Sequence, residues 1–221
     1  VITGLISRRG EGRFFDINKK RADLAEYIIT NYSDVKNYDS EKEYFDYVSK
    51  EDTFLLDYKT QLPETISSNE LDNWSSKLGL EVIKEELILL KNKKSSKHDI
   101  IKNIVSYIRL EWLIALLIKN RCSEIGIKPN LKSDDEGIPY HQAPPKKFDI
   151  EIENKEDYIF IEATLINNAE QVPREINKIP RKINDYIFIN SSKDKKTLFI
   201  APSIHEDSKN MTEWLFEKKD I

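Results

Sequence analysis

The 221 residues include one cysteine, Cys122, so no disulfide can form within the chain. That excludes the cross-linked scaffolds of small secreted domains and, with no signal-peptide pattern, points to a reducing, cytoplasmic setting. No apolar run approaches the roughly 20 residues that a membrane helix requires, so no membrane partner is expected. An excess of positive charge is missing as well: 35 Lys and Arg against 39 Asp and Glu leave a net charge of −4. Any contact with nucleic acid must therefore rest on a local cluster of cations. Glycine is scarce, and the pair in Arg8-Arg9-Gly10-Glu11-Gly12-Arg13 lacks the preceding strand and third glycine of a phosphate loop, so it reads as a turn. The chain begins at Val1 rather than Met, which suggests a piece of a longer protein.

What is present is 39% hydrophobic and 33% charged residues, enough for one large domain or two small ones. Residues 1–95 read as a helical region. Ile17, Leu24, Tyr27, Ile28 and Tyr32 have rough helical spacing, with Asp16 placed as an N-cap. Ser40-Glu41-Lys42-Glu43 fits a capping box before Tyr44, Phe45, Tyr47 and Val48. A third helix is expected over Trp74–Leu90. The basic run Lys91-Asn92-Lys93-Lys94-Ser95-Ser96-Lys97 reads as a solvated link to a second domain at 96–221, with phosphate contact as the alternative. That domain opens with a long helix, His98–Arg121, which Gly126 and Pro129 terminate. The period then changes to strand spacing at Phe148, Ile150 and Ile152, and again at Tyr158–Leu165, Asp185–Asn190 and Thr197–Ala201. Val172–Asn184 reads as a connecting helix limited by Pro173 and Pro180. The expected fold class is α/β: a helical N-terminal region, then a mixed sheet flanked by helices.

Asn154-Lys155-Glu156-Asp157 is a polar turn between two strand-like runs. If Lys155 and Glu156 form the loop, Asn154 pairs with Asp157, and Asp149 falls opposite Glu162. Opposed residues of an antiparallel pair share a face, with β-carbons about 4.5–5.5 Å apart. Two carboxylates that close repel unless a proton or a cation lies between them. Glu162 sits in Tyr158-Ile159-Phe160-Ile161-Glu162-Ala163-Thr164-Leu165, a very apolar strand. It is either buried with compensation or on an edge strand facing water. In the long helix, Glu111 lies inside the stripe of Ile104, Ile108, Ala115 and Ile118, and Val105, Trp112, Leu113, Leu116 and Leu117 make the other sides apolar too. Glu111 therefore needs a partner: a Lys or Arg in a structural salt bridge, or a metal shared with the other two acids.

A helical acid, an Asp closing a Pro-containing loop and a Glu in a hydrophobic strand resemble the PD-(D/E)XK nuclease core. Leu110-Glu111-Trp112-Leu113, Asp134-Asp135-Glu136-Gly137-Ile138-Pro139, His141-Gln142-Ala143-Pro144, Phe148-Asp149-Ile150-Glu151, Ile161-Glu162-Ala163-Thr164-Leu165 and Val172-Pro173-Arg174 resemble, together, the cleavage domain of AlwI-like type IIS restriction endonucleases, the group that includes MlyI and PleI. The likeness covers about residues 110–205, and residues 1–90 are similar to the helical part that precedes this domain. It implies a restriction endonuclease that hydrolyses double-stranded DNA with Mg2+, or Mn2+ as a substitute. Asp149, Glu162 and Glu111 would be catalytic residues and metal ligands, with Glu170 as a further catalytic acid. Thr164 stands where the broad nuclease pattern has a Lys that orients the attacking water, and the His141 loop carries an insertion; His141 is not assigned a catalytic role.

A hard divalent cation prefers oxygen ligands of this kind. Phosphate contact then falls to nearby cations. Residues 169–196 hold seven Lys and Arg against four acids, and Arg174, Lys178, Arg181 and Lys182 are the expected DNA contacts, with an ordinary charged helix face as the alternative. A transient dimer or a second cleavage subunit is the expected protein partner. The competing functions are a nicking subunit, or another DNA-processing nuclease that needs a partner chain, and a catalytically inactive interaction module.

Overall fold

The computed structural model describes residues 5–9, 14–32, 37–48, 65–186 and 193–219. These fall into two compact units: residues 1–64 with 134–136, and residues 65–133 with 137–221.

The first unit opens with a hairpin rather than the expected helical lead-in. Strands β1 (Ile6–Arg9) and β2 (Phe14–Ile17) pair antiparallel, Ile6 opposite Ile17. Asn18, not Asp16, caps the 3-10 turn that follows, its side chain accepting from Lys20 N. Helices α1 (Ala22–Tyr32) and α2 (Glu41–Val48) follow among the described residues of the unit. Ser40 caps α2 as expected, its hydroxyl accepting from Glu43 N at 3.2 Å. Asp135 is a structural residue here, its carboxylate accepting from the Ser7 hydroxyl and from Lys19 N.

The second unit begins with α3 (Ser68–Lys91), which has a full capping box: the Ser67 hydroxyl accepts from Glu70 N, and the Glu70 carboxylate accepts from Ser67 N. Its apolar residues, among them Leu71, Trp74 and Leu78, pack with Trp112, Leu113 and Leu116 of α4 (Ser106–Arg121), and the rings of Trp74 and Trp112 meet edge to face at 5.6 Å. This packing places the expected boundary after residue 95 inside the unit. The second helix starts at Ser106, eight residues later than its apolar pattern implied, because Ile104 and the β-branched Val105 are extended and a 3-10 turn occupies Ile101–Asn103.

A four-stranded mixed sheet packs against these helices. In the order β3-β6-β7-β8, strand β6 (Ile150–Glu153) pairs antiparallel with both β3 (Gly126–Pro129) and β7 (Asp157–Ala163), and β8 (Asp194–Ile200) pairs parallel with β7. A two-stranded pair, β4 (Lys132–Ser133) and β5 (Pro139–His141), lies between β3 and β6 in the chain. Sequence spacing missed β3, a four-residue edge strand whose first and last residues are the very Gly and Pro that signal termination; Pro is tolerated at an edge, where a missing N–H breaks no inner ladder. A parallel pair requires a long crossover. Here it contains α5 (Gln171–Arg174), a 3-10 turn and α6 (Ile179–Tyr186), with α7 (Glu206–Lys219) after β8. The strand expected over 185–190 is corrected at its start, since Asp185 and Tyr186 end α6; residues 187–190 lie outside the described residues.

Gly137 has φ +77°, and an added Cβ would lie 2.7 Å from Glu70 Cβ, inside the capping box. Gly137→Ala should destabilise the protein by about 1–3 kcal/mol. It should cost more than Gly79→Ala, where φ is +71° but nothing lies within 4 Å of the added carbon. Urea unfolding compares the two, and equal losses would contradict the steric reading.

Candidate active site

The hairpin register follows the turn chemistry. Asn154 Oδ1 accepts from Glu156 N and Asp157 N, which closes the turn with Lys155 and Glu156 at its tip. Ile150 then pairs with Ile161 and Glu153 with Tyr158, the expected register. One step beyond the last pair, Asp149 N donates to Ile161 O, and Asp149 Oδ2 accepts from Ala163 N at 2.7 Å. Asp149 and Glu162 are thereby brought together at one end of the hairpin.

Burial decides between the alternatives for the acids. β7 is an inner strand and Glu162 is 3% exposed, so the edge-strand reading fails. Lys182 of α6 donates to Glu162 Oε1, while Glu162 Oε2 is buried with no hydrogen-bond partner. Glu111, in the second turn of α4, is 5% exposed and its Oε2 is likewise unpartnered. Among the described residues no Lys or Arg forms a salt bridge with Glu111, and it faces Asp149 and Glu162, with Lys182 as the more distant cation that acts on it. Burial, followed by the negative charge of Asp149 and Glu162, pushes Glu111 up to about 9. Burial also raises Asp149, to about 6, against the Ala163 N–H and Lys182, which favour its ionised form. Glu162 is raised to about 7 by burial and then by Asp149, with Lys182 opposing.

These groups line a cleft of about 880 Å3, where five cations (Lys146, Lys147, Lys178, Arg181 and Lys182) face four carboxylates. The fourth carboxylate is Glu175, which sequence reasoning missed, and its negative charge helps raise the other three acids. Glu170, the acid expected there, does not line the cleft; it is exposed and pairs with Arg174 at 3.0 Å. A four-residue helix separates the two positions, and its Pro173 and irregular end made the turn count unreadable from spacing. Of the four expected DNA contacts, Lys178 and Arg181 line the cleft and Arg174 does not. Lys182 is there in another capacity, half-buried against Glu162 and 5.5 Å from the centre of the Phe148 ring. Lys146 and Lys147 were missed, on a loop whose role the sequence left open; Gln142 of that loop reaches the cleft and His141 does not. Thr164 Oγ1 accepts from Ile166 N and holds the chain as it leaves β7.

Glu151, two residues past Asp149, is buried but fully engaged, accepting from Asn130 Nδ2 and from the hydroxyls of Tyr158 and Tyr186. Those donors hold its carboxyl below the usual range despite burial. The contrast isolates Glu111 and Glu162, whose free oxygens suit a hard cation that takes only oxygen ligands. Among the described residues no three His, Cys, Asp or Glu side chains are gathered into a formed metal-ligand set. Lys182 is the cation at Glu162 in this arrangement.

Comparison with known proteins bears on the family of the chain. The model of the AlwI restriction endonuclease family matches residues 61–219, well over half of the chain. Among solved structures, the small subunit of the heterodimeric restriction endonuclease R.BspD6I is similar, with 25% sequence identity and a TM-score of 0.47. The match covers 58% of this chain and 64% of that subunit, so the chain spans less than two thirds of its length. No curated protein matches the chain.

The raised acids make stability depend on pH. A carboxyl whose folded value exceeds its unfolded value of about 4 is a site where the folded state binds more protons. Its contribution is complete below the unfolded value and is lost as pH rises through the folded one. With divalent ions chelated, thermal stability should fall as pH rises from about 4 through about 9, the span between the unfolded carboxyl value and the raised values of Asp149, Glu162 and Glu111. Glu111→Gln should flatten the upper half of that decline. Melting across the range tests this; stability that rises over the window would contradict it.

Proposed function

We propose that this chain, which belongs to the AlwI restriction endonuclease family, hydrolyses phosphodiester bonds of double-stranded DNA as part of a type IIS restriction endonuclease. The observation that carries the reading is the gathering of Asp149, Glu162 and Glu111 around one cation-rimmed cleft, with two buried carboxylate oxygens left unpartnered. Carboxylates alone repel an anionic phosphodiester, so a site built on them is incomplete without positive charge.

Asp149, Glu162 and Glu111 would hold a divalent cation, Mg2+ or Mn2+. When bound, such a cation lowers the pKa of water, polarises a phosphoryl oxygen and stabilises the leaving oxygen. The chain's own residues do the rest. Ala163 N–H fixes one oxygen of Asp149 and leaves the other for the cleft. Lys178 and Arg181, exposed on the rim, contact the phosphate backbone. In hydrolysis a water oxygen bonds to phosphorus, the bond to the leaving sugar oxygen breaks, and that oxygen takes up a proton as the water loses one. Thr164 cannot supply the charge that the broad nuclease pattern draws from a Lys at that position. Lys182 supplies it from α6, 20 residues after Glu162, where its ammonium neutralises the phosphate and orients the attacking water. A second subunit, or a transient dimer, cuts the other strand.

Asp149→Ala and Glu162→Ala should abolish Mg2+-dependent cleavage of duplex DNA while the protein stays folded. Lys182→Ala should slow single-turnover cleavage by about 10²–10³-fold, and Lys182→Arg should restore part of it. Ca2+ should support little hydrolysis, its looser coordination activating water less. Gel analysis of a labelled duplex reads all of these, and shows whether one strand or both are cut. Normal cleavage by either carboxylate variant would overturn the assignment.

A further inference from the structure

A second cleft, of about 440 Å3, lies in the same unit at the N-terminal end of α4. Its charged lining residues are all cations: Lys91, Lys93, Lys94, Lys102 and Arg109. Ser106 and Leu165 line both this cleft and the catalytic one, so the two adjoin.

The run Lys91–Lys97, read from the sequence as a solvated link, is instead a pinned rim. The Ser96 hydroxyl is buried and donates to Glu86 Oε1 at 2.7 Å, and it accepts from His98 N. Lys93 N and Lys94 N donate back to Leu90 O and Leu89 O at the end of α3. A free linker has no reason to bury a serine against a carboxylate, since that orders the backbone at an entropic cost. Pinning Ser96 leaves Lys91, Lys93 and Lys94 exposed on the rim, with no ion pair among the described residues. Lys102, by contrast, is engaged with Asp99.

Arg109 forms the floor. It is 5% exposed, its Nε has no hydrogen-bond partner, and Glu86 is 3.9 Å away. Burial disfavours its charged form and Glu86 only partly offsets this, so an anion in the cleft would relieve an existing deficit. The first turn of α4 adds to it. Val105 occupies the N-cap position and provides no side-chain acceptor, which leaves backbone N–H groups at the mouth.

We infer that this cleft binds a backbone phosphate of the DNA that the catalytic cleft cuts, so that the strand runs from Glu162 past Ser106 onto Lys91, Lys93 and Lys94. The inference rests on the reading of the substrate as DNA, and adds a track for it. The same chemistry would suit a free phosphate group, which the test separates.

The test uses the whole chain carrying Lys91→Gln, Lys93→Gln and Lys94→Gln together, exposed changes that leave the buried floor intact. A control carries an equal charge loss at Lys155, Lys195 and Lys209, which line neither cleft. Fluorescence anisotropy with a labelled duplex in Ca2+ is measured across a salt series. The rim variant should bind about ten- to a hundredfold more weakly, and its slope of log K against log salt should shrink by about 0.9 for each phosphate that the rim no longer neutralises. The control should change little. Affinity and slope unchanged by the rim variant would overturn the inference. So would calorimetric binding of inorganic phosphate that the rim variant abolishes while its DNA affinity is kept, since the cleft would then serve a free anion. An unmodified chain that binds through the rim yet never cleaves would remove the nuclease reading alone.

Discussion

Three carboxylates buried in one cleft cannot all be ionised without positive charge among them. That constraint organises the second unit. Glu151 shows the stable solution that the fold uses elsewhere: two phenol hydroxyls and an amide donate to it. Glu111 and Glu162 have no such closure, and each keeps a buried oxygen without a donor. Leaving buried acceptors unmet costs about 1–3 kcal/mol each, a cost that packing alone has no need to retain. The cleft holds this deficit in place because the parts around it are rigid.

That rigidity comes from the elements that carry the acids. The Asn154 turn sets the register that brings Asp149 to Glu162. β7 is enclosed between β6 and β8, so Glu162 cannot turn to solvent. α4 is fixed by α3, through Trp74 and Trp112 among others, and presents Glu111. The parallel placement of β8 forces a crossover, and α6 within it brings Lys182 and Arg181 over the carboxylates, with Lys178 just before it. Tyr186, at the end of α6, anchors that helix by donating to Glu151 and packing on Phe148 and Phe160. The fully satisfied acid thus supports the element that serves the unsatisfied ones.

The sequence was most legible where local chemistry decides structure. Turn residues gave the Asn154 hairpin, Ser40 gave a helix cap, and an apolar stripe with one acid in it marked Glu111. It was least legible where tertiary contact decides. β3 is short and bounded by Gly and Pro, so only its pairing with β6 makes it a strand. Ile17 reads as the start of a helix behind an Asp16 cap, yet Phe14–Ile17 pairs with Ile6–Arg9. Glu175 and Lys182 enter the site from a broken helical crossover, where the 3-10 turn at Ile176–Lys178 defeats counting by 3.6. Lys182 was singled out as a phosphate contact because it lies in a basic segment; its place beside Glu162 depends on how α6 packs, which spacing does not report.

The most direct test of the account is diffraction from crystals soaked in Mn2+, read by anomalous scattering. The account predicts one strong peak in the catalytic cleft with Asp149, Glu162 and Glu111 as its carboxylate ligands, and Lys182 displaced from Glu162. A cleft that stays free of Mn2+ under saturating metal, with the Lys182–Glu162 pair intact, would contradict it.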